Sequence, residues 1–434
     1  MKLLMKTWLV SMAFLLMPLS AQAEFRFVIT KGYSSPTTVA IAPFCWNGSE
    51  VLPEDVASVV MSDMSRTGQF ATLETDNMLS QPCSHDQVYF RDWKLLKQDY
   101  LVIGQIDADE AKGKYTITYR LYDVFKEQNI HAARVTGKKN QLRDLAHRIS
   151  DGVYQKITGI KGVFSTRIAY VTLDRKTSGN QYRLEISDAD GHRAKTIYTS
   201  SQSIISLAWA QDGKKIAFTS FDEKGRTKIK VADLASGKIE TMPAYRGINS
   251  GAAFSPDGSE LAFVNSQSGN ADIYMMNLVT KDVRKITKHW AIDTEPSWSP
   301  DGKKLLFTSE RGGKPQIYQL TLDTGRVERL TFEGSYNARA HYSADGKHVV
   351  MVHLKSGVYH IAALDMETRR LRVLTETNLD ESPSVAPNGT MLVYATQSKG
   401  KGVLAWATVD GEVASIMPSA HGHVREPAWS PYLR

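Results

Sequence analysis

The stretch SWSPDGKKLLF, residues 297–307, is one statement of a phrase that this chain repeats. It returns as AWAQDGKKIAF from 208, AFSPDGSELAF from 253, HYSADGKHVVM from 341 and SVAPNGTMLVY from 384, and a shortened AWSPYLR closes the chain from 428. Equivalent positions are Trp209, Phe254, Trp298, Tyr342, Val385 and Trp429, spaced by 45, 44, 44, 43 and 44 residues. A fixed period of this size marks a repeat architecture, in which each unit buries its apolar face only by stacking on the next.

The interior of one repeat says what the unit is. In SPDG, at 255–258 and 299–302, Ser opens the turn, Pro presets φ at the second position and Gly takes the fourth, as a tight hairpin requires. A strand therefore enters through TEPSWS, returns through KKLLFTS, runs again as QIYQLTL after ERGGKP, and ends in VERLTF after DTGR. Four antiparallel strands in one repeat are a β-propeller blade. The aromatic residue of the phrase and the paired apolar residues of the second strand are expected to fill the space between blades. Residues 167–200 supply three strands (RIAYVTL, QYRLEIS, AKTIYTS) without the opening phrase, and the C-terminal EPAWSP supplies that phrase and stops. Together they complete one blade from both ends of the region. The expectation is a six-bladed all-β propeller over 161–434.

Residues 24–160 lack the period and read as a mixed α/β domain. TTVAIAPF (37–44) and YLVIGQID (100–107) suit buried strands, and KYTITYRLYDV (114–124) alternates as a half-exposed strand does. PEDVASVVMSDMSRTGQF places Ala57, Val60, Met61 and Met64 at helical spacing before Gly68. NQLRDLAHRISDGVYQKI predicts a second helix, capped by Asn140, with Leu142, Leu145, Ala146, Ile149 and Val153 on one face. TGIKGVFSTR (158–167) marks the boundary.

Residues 1–23 have another purpose. Lys2 and Lys6 precede the apolar run TWLVSMAFLLMPL, which ends in AQA before Glu24: a secretory signal peptide, too short in its apolar part to span a bilayer at about 20 residues. No later stretch is long and apolar enough to cross a membrane, so the mature chain is expected to work outside the cytosol. The net charge of +7, less Lys2 and Lys6, leaves +5. The basic residues are scattered, which argues against nucleic acid. Cys45 and Cys83 are the two cysteines, and a bridge between them is open to an exported chain.

The innermost strand of each blade begins just before the phrase, so residues there should surround a channel mouth. Three places before the aromatic position stand Ser206, Gly251, Glu295, Arg339, Ser382 and Glu426, with Asn249, Ser250, Thr294, Glu381 and Arg425 beside them. Such a polar ring on a rigid scaffold can receive a protruding partner segment. No G-x-S-x-G elbow, H-E-x-x-H or paired-cysteine metal motif accompanies it. The HGH at 421–423 and His341, His348, His353 and His360 read as surface residues, and NGS at 47 and NGT at 388 match glycosylation acceptors. A propeller enzyme, whether hydrolase or quinoprotein dehydrogenase, or a glycan-binding propeller stands as the alternative to an adaptor. No cofactor is expected, with room left for a cation in the channel.

The leader, the opening EFRFVITKGYSSPTTVAIAPF, the junction ITGIKGVFSTRIAYV and the phrases DTEPSWSPDGKKLLFTS, DESPSVAPNGTMLVY and EPAWSPYLR together resemble the TolB family of the Tol-Pal system. The resemblance covers the whole mature chain. It implies a non-enzymatic, monomeric periplasmic adaptor that supports outer-membrane constriction during division and envelope integrity, in a system that colicins exploit for entry. It also implies two partner sites. The Pal lipoprotein would take the channel mouth, through Asn249, Ser250, Thr294, Glu295, Arg339, Glu381, Arg425 and Glu426. The C-terminal domain of TolA would take the extended segment Glu24, Phe25, Arg26, Phe27, Val28, Ile29, Thr30, Lys31, Gly32 and Tyr33. Family relatives often carry a His where this chain reads YRGINSG, so a His contact does not carry over.

Overall fold

The computed structural model describes residues 28–31, 33–109, 112–177, 179–417 and 422–433. The leader, Glu24 to Phe27 and Gly32 lie outside the described residues. Among the described residues no helix is long and apolar enough to cross a membrane.

The N-terminal domain is built on one mixed sheet in which strands run in the order 70–72, 37–41, 100–109, 114–123, 128–138, with 45–46 also paired to 100–109. The strand at 37–41 lies parallel to both neighbours, and the remaining long strands are antiparallel. Helices α1 (Val56–Arg66) and α3 (Leu142–Thr158) cover one face, where Val60, Met64, Leu145, Ile149 and Val153 meet Ile41, Val102 and Ile117. The short α2 (Phe90–Leu95) closes the other face with Trp93, against Leu101, Ile103 and Tyr122. Asp55 caps α1 by accepting from Ser58 N at 3.1 Å. The expected Asn140 cap of α3 does not form. Gln141 accepts from Lys138 N, winds 139–141 into a 3-10 turn and takes the cap position itself. Cys45 and Cys83 are joined, with Cα atoms 5.6 Å apart across 38 residues of chain. Closing a loop of that length contributes about 2–4 kcal/mol.

After α3 the chain turns at Gly159, whose φ of +76° suits a residue without Cβ. Asp151 of α3 then accepts from Phe164 N at 2.8 Å, tying the linker back to the helix. The propeller follows as six antiparallel sheets. Blades 1 to 5 begin with the strands Ile204–Trp209, Asn249–Phe254, Asp293–Trp298, Asn337–Tyr342 and Glu381–Val385. Blade 6 orders 195–200, 179–188, 167–176 and the last strand, His423–Trp429, so the two ends of the region meet in one sheet.

The repeated phrase is a self-contained lock. In blade 3, Ser299 Oγ donates to Asp301 Oδ1 at 2.6 Å and accepts from Lys304 N at 2.9 Å, while Gly302 N bonds Ser299 O. Blades 2 and 4 repeat the Ser–Asp bond at Ser255 and Ser343, and all three serines are buried. The aromatic of the phrase reaches between blades: Trp209 Nε1 donates to Ala428 O of blade 6, and Trp298 Nε1 to Ala253 O of blade 2.

The strand Val28–Lys31 departs from the expected partition. It pairs antiparallel with Ala414–Met417 as a fifth strand on blade 5, not with the sheet of its own domain. The outer strand of a blade presents unpaired backbone groups, and an extended segment satisfies them.

Candidate functional site

Each innermost strand carries one residue in the left-handed region: Ser206 (φ 56°), Gly251 (61°), Glu295 (57°), Arg339 (54°), Ser382 (53°) and Glu426 (52°). These are the six positions three places before the aromatic residue. At each one the register with the second strand slips. A bulge bends the strand and re-aims one side chain, and for the five residues with a Cβ the conformation costs about 1–2 kcal/mol each.

What the bulges bring together is an ion-pair network across the channel. Arg339 of blade 4 donates from Nε to Glu295 Oε1 at 3.1 Å and from Nη1 to Glu426 Oε1 at 2.8 Å, and also bonds Ser382 Oγ. Glu295 Oε2 accepts from Arg339 N at 2.9 Å and Thr308 Oγ1 at 2.7 Å, and Glu426 Oε2 accepts from Ser206 N at 2.8 Å. One guanidinium thus links blades 3, 4, 5 and 6, and Glu426 carries the link on to blade 1. Burial would push the Glu426 carboxyl up, but the Arg339 charge and hydrogen bond hold it below its ordinary value. Glu381 is raised by burial and by Glu426 nearby.

The network divides the channel. On the side of the SPDG turns a cavity of about 520 Å³ opens above it, walled by Trp209, Trp298 and Trp429 and rimmed by Pro256, Pro300, Pro387 and Pro431. His341, exposed as expected, lines this cavity with Nδ1 3.2 Å from Ser297 Oγ, and the enclosing protein with the Arg339 charge lowers its pKa. His353, also expected at the surface, is buried and lies 2.8 Å from Asn337 Oδ1.

Thr294, Glu381 and Arg425 lie on the opposite side of the network, where the strands enter; Glu381 and Arg425 stand 3.9 Å apart. Ser250 is half-buried beside Gly251. Asn249 is buried, and its amide holds its own loop by donating to Tyr245 O at 2.7 Å and accepting from Tyr245 N at 3.0 Å. Asn337 does the same for blade 4 through Glu333 O, and Asp293 is held by Arg311 in blade 3. The expected ring therefore separates into a plug inside the channel (Glu295, Arg339, Glu426), an entrance group (Ser250, Thr294, Glu381, Arg425) and a loop clamp (Asn249).

Sequence reasoning missed the apolar residues at this entrance. Ile248, Trp290, Ile292, Phe332 and Leu379 are exposed on the loops that lead into blades 2 to 5, Trp290 at 79% and Phe332 at 73%. They lie outside the repeated phrase, in loops that share no pattern. Only a lone tryptophan in KHWAID signals them.

The second candidate site is the strand 28–31 on blade 5. Next to it Tyr33 donates its hydroxyl to Asp410 Oδ2 at 2.6 Å. Burial and the Asp410 hydrogen bond push the Tyr33 phenol up to about 12. Of the other expected segment residues, Glu24, Phe25, Arg26, Phe27 and Gly32 lie outside the described residues.

Among the described residues the group close enough to hold a metal ion is Asp63, His147 and Asp190, at the joint between the domains. Arg66 and Arg143 pair with its carboxylates at 3.1 and 2.5 Å. His421 of the HGH sequence lies outside the described residues, and His423 Nδ1 accepts from Gly402 N at 3.1 Å.

Comparison with known proteins places this geometry. Family profiles described as TolB amino-terminal domain and TolB beta propeller domain match residues 25–130 and 154–433. The chain is 50% identical over 415 residues to the Tol-Pal system protein TolB of Alcanivorax borkumensis, covering 96% of this chain and 95% of the relative. It is 52% identical over 413 residues to the Tol-Pal system protein TolB of Hahella chejuensis, covering 95% and 96%. The crystal structure of TolB from Acinetobacter baumannii superposes with a TM-score of 0.87 at 40% identity, over 94% of this chain and 100% of that one.

Proposed function

The chain belongs to the TolB family of Tol-Pal system proteins, and from that premise we propose that it is a non-enzymatic periplasmic adaptor joining two partners. The Pal lipoprotein docks on the channel entrance, and TolA takes the N-terminal segment in extended form. Through these contacts the protein supports outer-membrane constriction and envelope integrity.

The observation that carries the reading is the apolar collar at the entrance. Ile248, Trp290, Ile292, Phe332 and Leu379 are exposed on the loops that lead into four consecutive blades, the end of the blades from which the strands carrying Thr294, Glu381 and Arg425 also start. Exposed apolar side chains gathered at one mouth and rimmed by polar ones mark a protein interface. Burying an aromatic anchor there contributes about 1.5–3 kcal/mol. The strand 28–31 supports the second half, because it engages its neighbour through backbone pairing, which another edge strand can replace. Any effect of one partner on the affinity of the other must be reciprocal.

Calorimetric titration of the mature chain with the periplasmic domains of Pal and TolA tests this. The double variant Trp290→Ser, Phe332→Ser is expected to weaken Pal about 100-fold, two anchors at a little over 1.4 kcal/mol each, and to leave TolA binding unchanged. Deletion of 24–35 is expected to abolish TolA binding and keep Pal binding. Failure of the full mature chain to bind either domain would remove the adaptor reading.

A further inference from the structure

The joint between the two domains contains a charged cluster that neither partner site uses. His147 of α3, Asp63 of α1 and Asp190 of the blade 6 turn are all at least 97% buried, at 2%, 1% and 3% exposure. The imidazole lies between the carboxylates, with Nδ1 2.7 Å from Asp63 Oδ2 and Nε2 3.6 Å from Asp190 Oδ2. Asp63 and His147 belong to the N-terminal domain, and Asp190 belongs to the propeller.

A neutral imidazole carries one N–H. Whichever nitrogen holds it, the other turns a lone pair toward a buried carboxylate. The imidazolium donates to Asp63 and sets its positive charge 3.6 Å from the Asp190 carboxylate, a charge contact longer than a hydrogen bond, and so bridges the domains. The surrounding charges favour the same form. The carboxylates of Glu54, Asp63, Asp144, Asp188 and Asp190 meet the guanidinium groups of Arg66, Arg143 and Arg193. That is five anions to three cations, and a protonated His147 halves the excess. Asp151 and His192 complete the titratable groups around the cluster. Asp151 is raised by burial and spends its oxygens on Phe164 N and Ser165 N, and His192 is lowered by burial.

We propose that protonated His147 is a latch between the N-terminal domain and the propeller, so that the joint tightens in acid and loosens in alkali. The direction of its titration agrees. Burial disfavours the charged ring, but the Asp63 charge and hydrogen bond together with the Asp190 charge outweigh it and raise the pKa. Asp190 is likewise opposed by burial and held far below the carboxylate range by His147, Arg66 and Arg143. A raised imidazole pKa gives stability that is complete below the unfolded value of about 6.5 and is lost as pH rises through the folded value. Asp190 stays ionised throughout that window.

The test is hydrogen exchange on the full mature chain across pH 6 to 9, normalised to intrinsic exchange rates, with the His147 ring followed by NMR. His147 is expected to titrate above the ordinary value of about 6.5. Protection in the 188–193 turn should fall across that titration, while blades 2 to 4 hold constant. His147→Gln should abolish the pH dependence. If that variant does not fold, Asp190→Asn should bring the His147 titration back toward the ordinary value. A ring that titrates at or below 6.5, joint protection that stays level with pH, or an unmoved titration in Asp190→Asn would each overturn the latch.

Discussion

Arg339 shows how much can depend on one side chain in a repeat protein. It serves two carboxylates from different blades, and those carboxylates bond backbone N–H groups of others. Replacing it with Met leaves Glu295 and Glu426 facing each other without a cation. Removing one partner of a fully buried ion pair costs about 3–5 kcal/mol; Arg339 and Glu295 are half-buried and only Glu426 is buried, so urea unfolding of Arg339→Met should show a smaller loss, about 1–3 kcal/mol. Adding Glu426→Gln should recover part of it, because the uncompensated charge is then gone. A simple contact deletion would instead be additive. The sequence showed that these three residues share a ring but not that they bond to one another, since repeat spacing places backbones and says nothing about which side chain reaches across an axis. His353 illustrates the same limit: its strand was predicted, and its bond to Asn337 depends on a neighbouring strand whose register the sequence does not state.

The unit repeated six times is an inner strand with a left-handed bulge, followed in blades 2, 3 and 4 by a turn locked by Ser and Asp. Two predictions belong here. Ser299 Oγ is buried and both donates and accepts, so Ser299→Ala leaves Lys304 N and Asp301 each short of a partner and should cost about 1–3 kcal/mol, read from the unfolding midpoint. At the bulge, Ser206→Gly relieves the left-handed strain and should change stability by no more than about 1 kcal/mol, whereas Ser206→Val places a β-branched side chain where φ is 56° and should cost more than 2 kcal/mol. Equal effects of the two would mean that the bulge conformation is unimportant. The phrase SPDGK was the most legible part of the chain because the turn is local, each bond spanning five residues or fewer. The bulge was less legible. Gly251 is the one residue of the six whose type announces a positive φ, and Ser, Glu and Arg at the other positions look like ordinary strand ends. The cap of α3 was misread for a related reason: Asn140 is the better capping residue, but Gln141 bonds back to Lys138 and shifts the helix start.

At the scale of the whole molecule the ring is closed by chemistry at its two ends. The last strand pairs with 167–176, and Trp429 Nε1 donates to Thr166 Oγ1 at 2.8 Å while Ser430 Oγ accepts from Arg167 N at 2.9 Å. The same strand carries Glu426, so closure and the channel plug are one event. Deleting 423–434 removes blade 6's innermost strand, leaves the exposed edge of 167–176 and strands Arg339 without one of its carboxylates. A repeat array with an uncapped end exposes a pairing edge, so the truncated chain should self-associate and lose cooperative unfolding of the propeller. The N-terminal domain has its own core on a disulfide-braced sheet, and its transition should survive in calorimetry at a temperature lowered by the loss of its docking face. Reduction of Cys45–Cys83 in the intact chain should do the reverse, lowering the N-terminal transition by about 2–4 kcal/mol and leaving the propeller unchanged. If truncation instead spares the propeller transition, closure by the terminal strand is not what holds the six blades in register, and the Arg339 network would have to do so without Glu426.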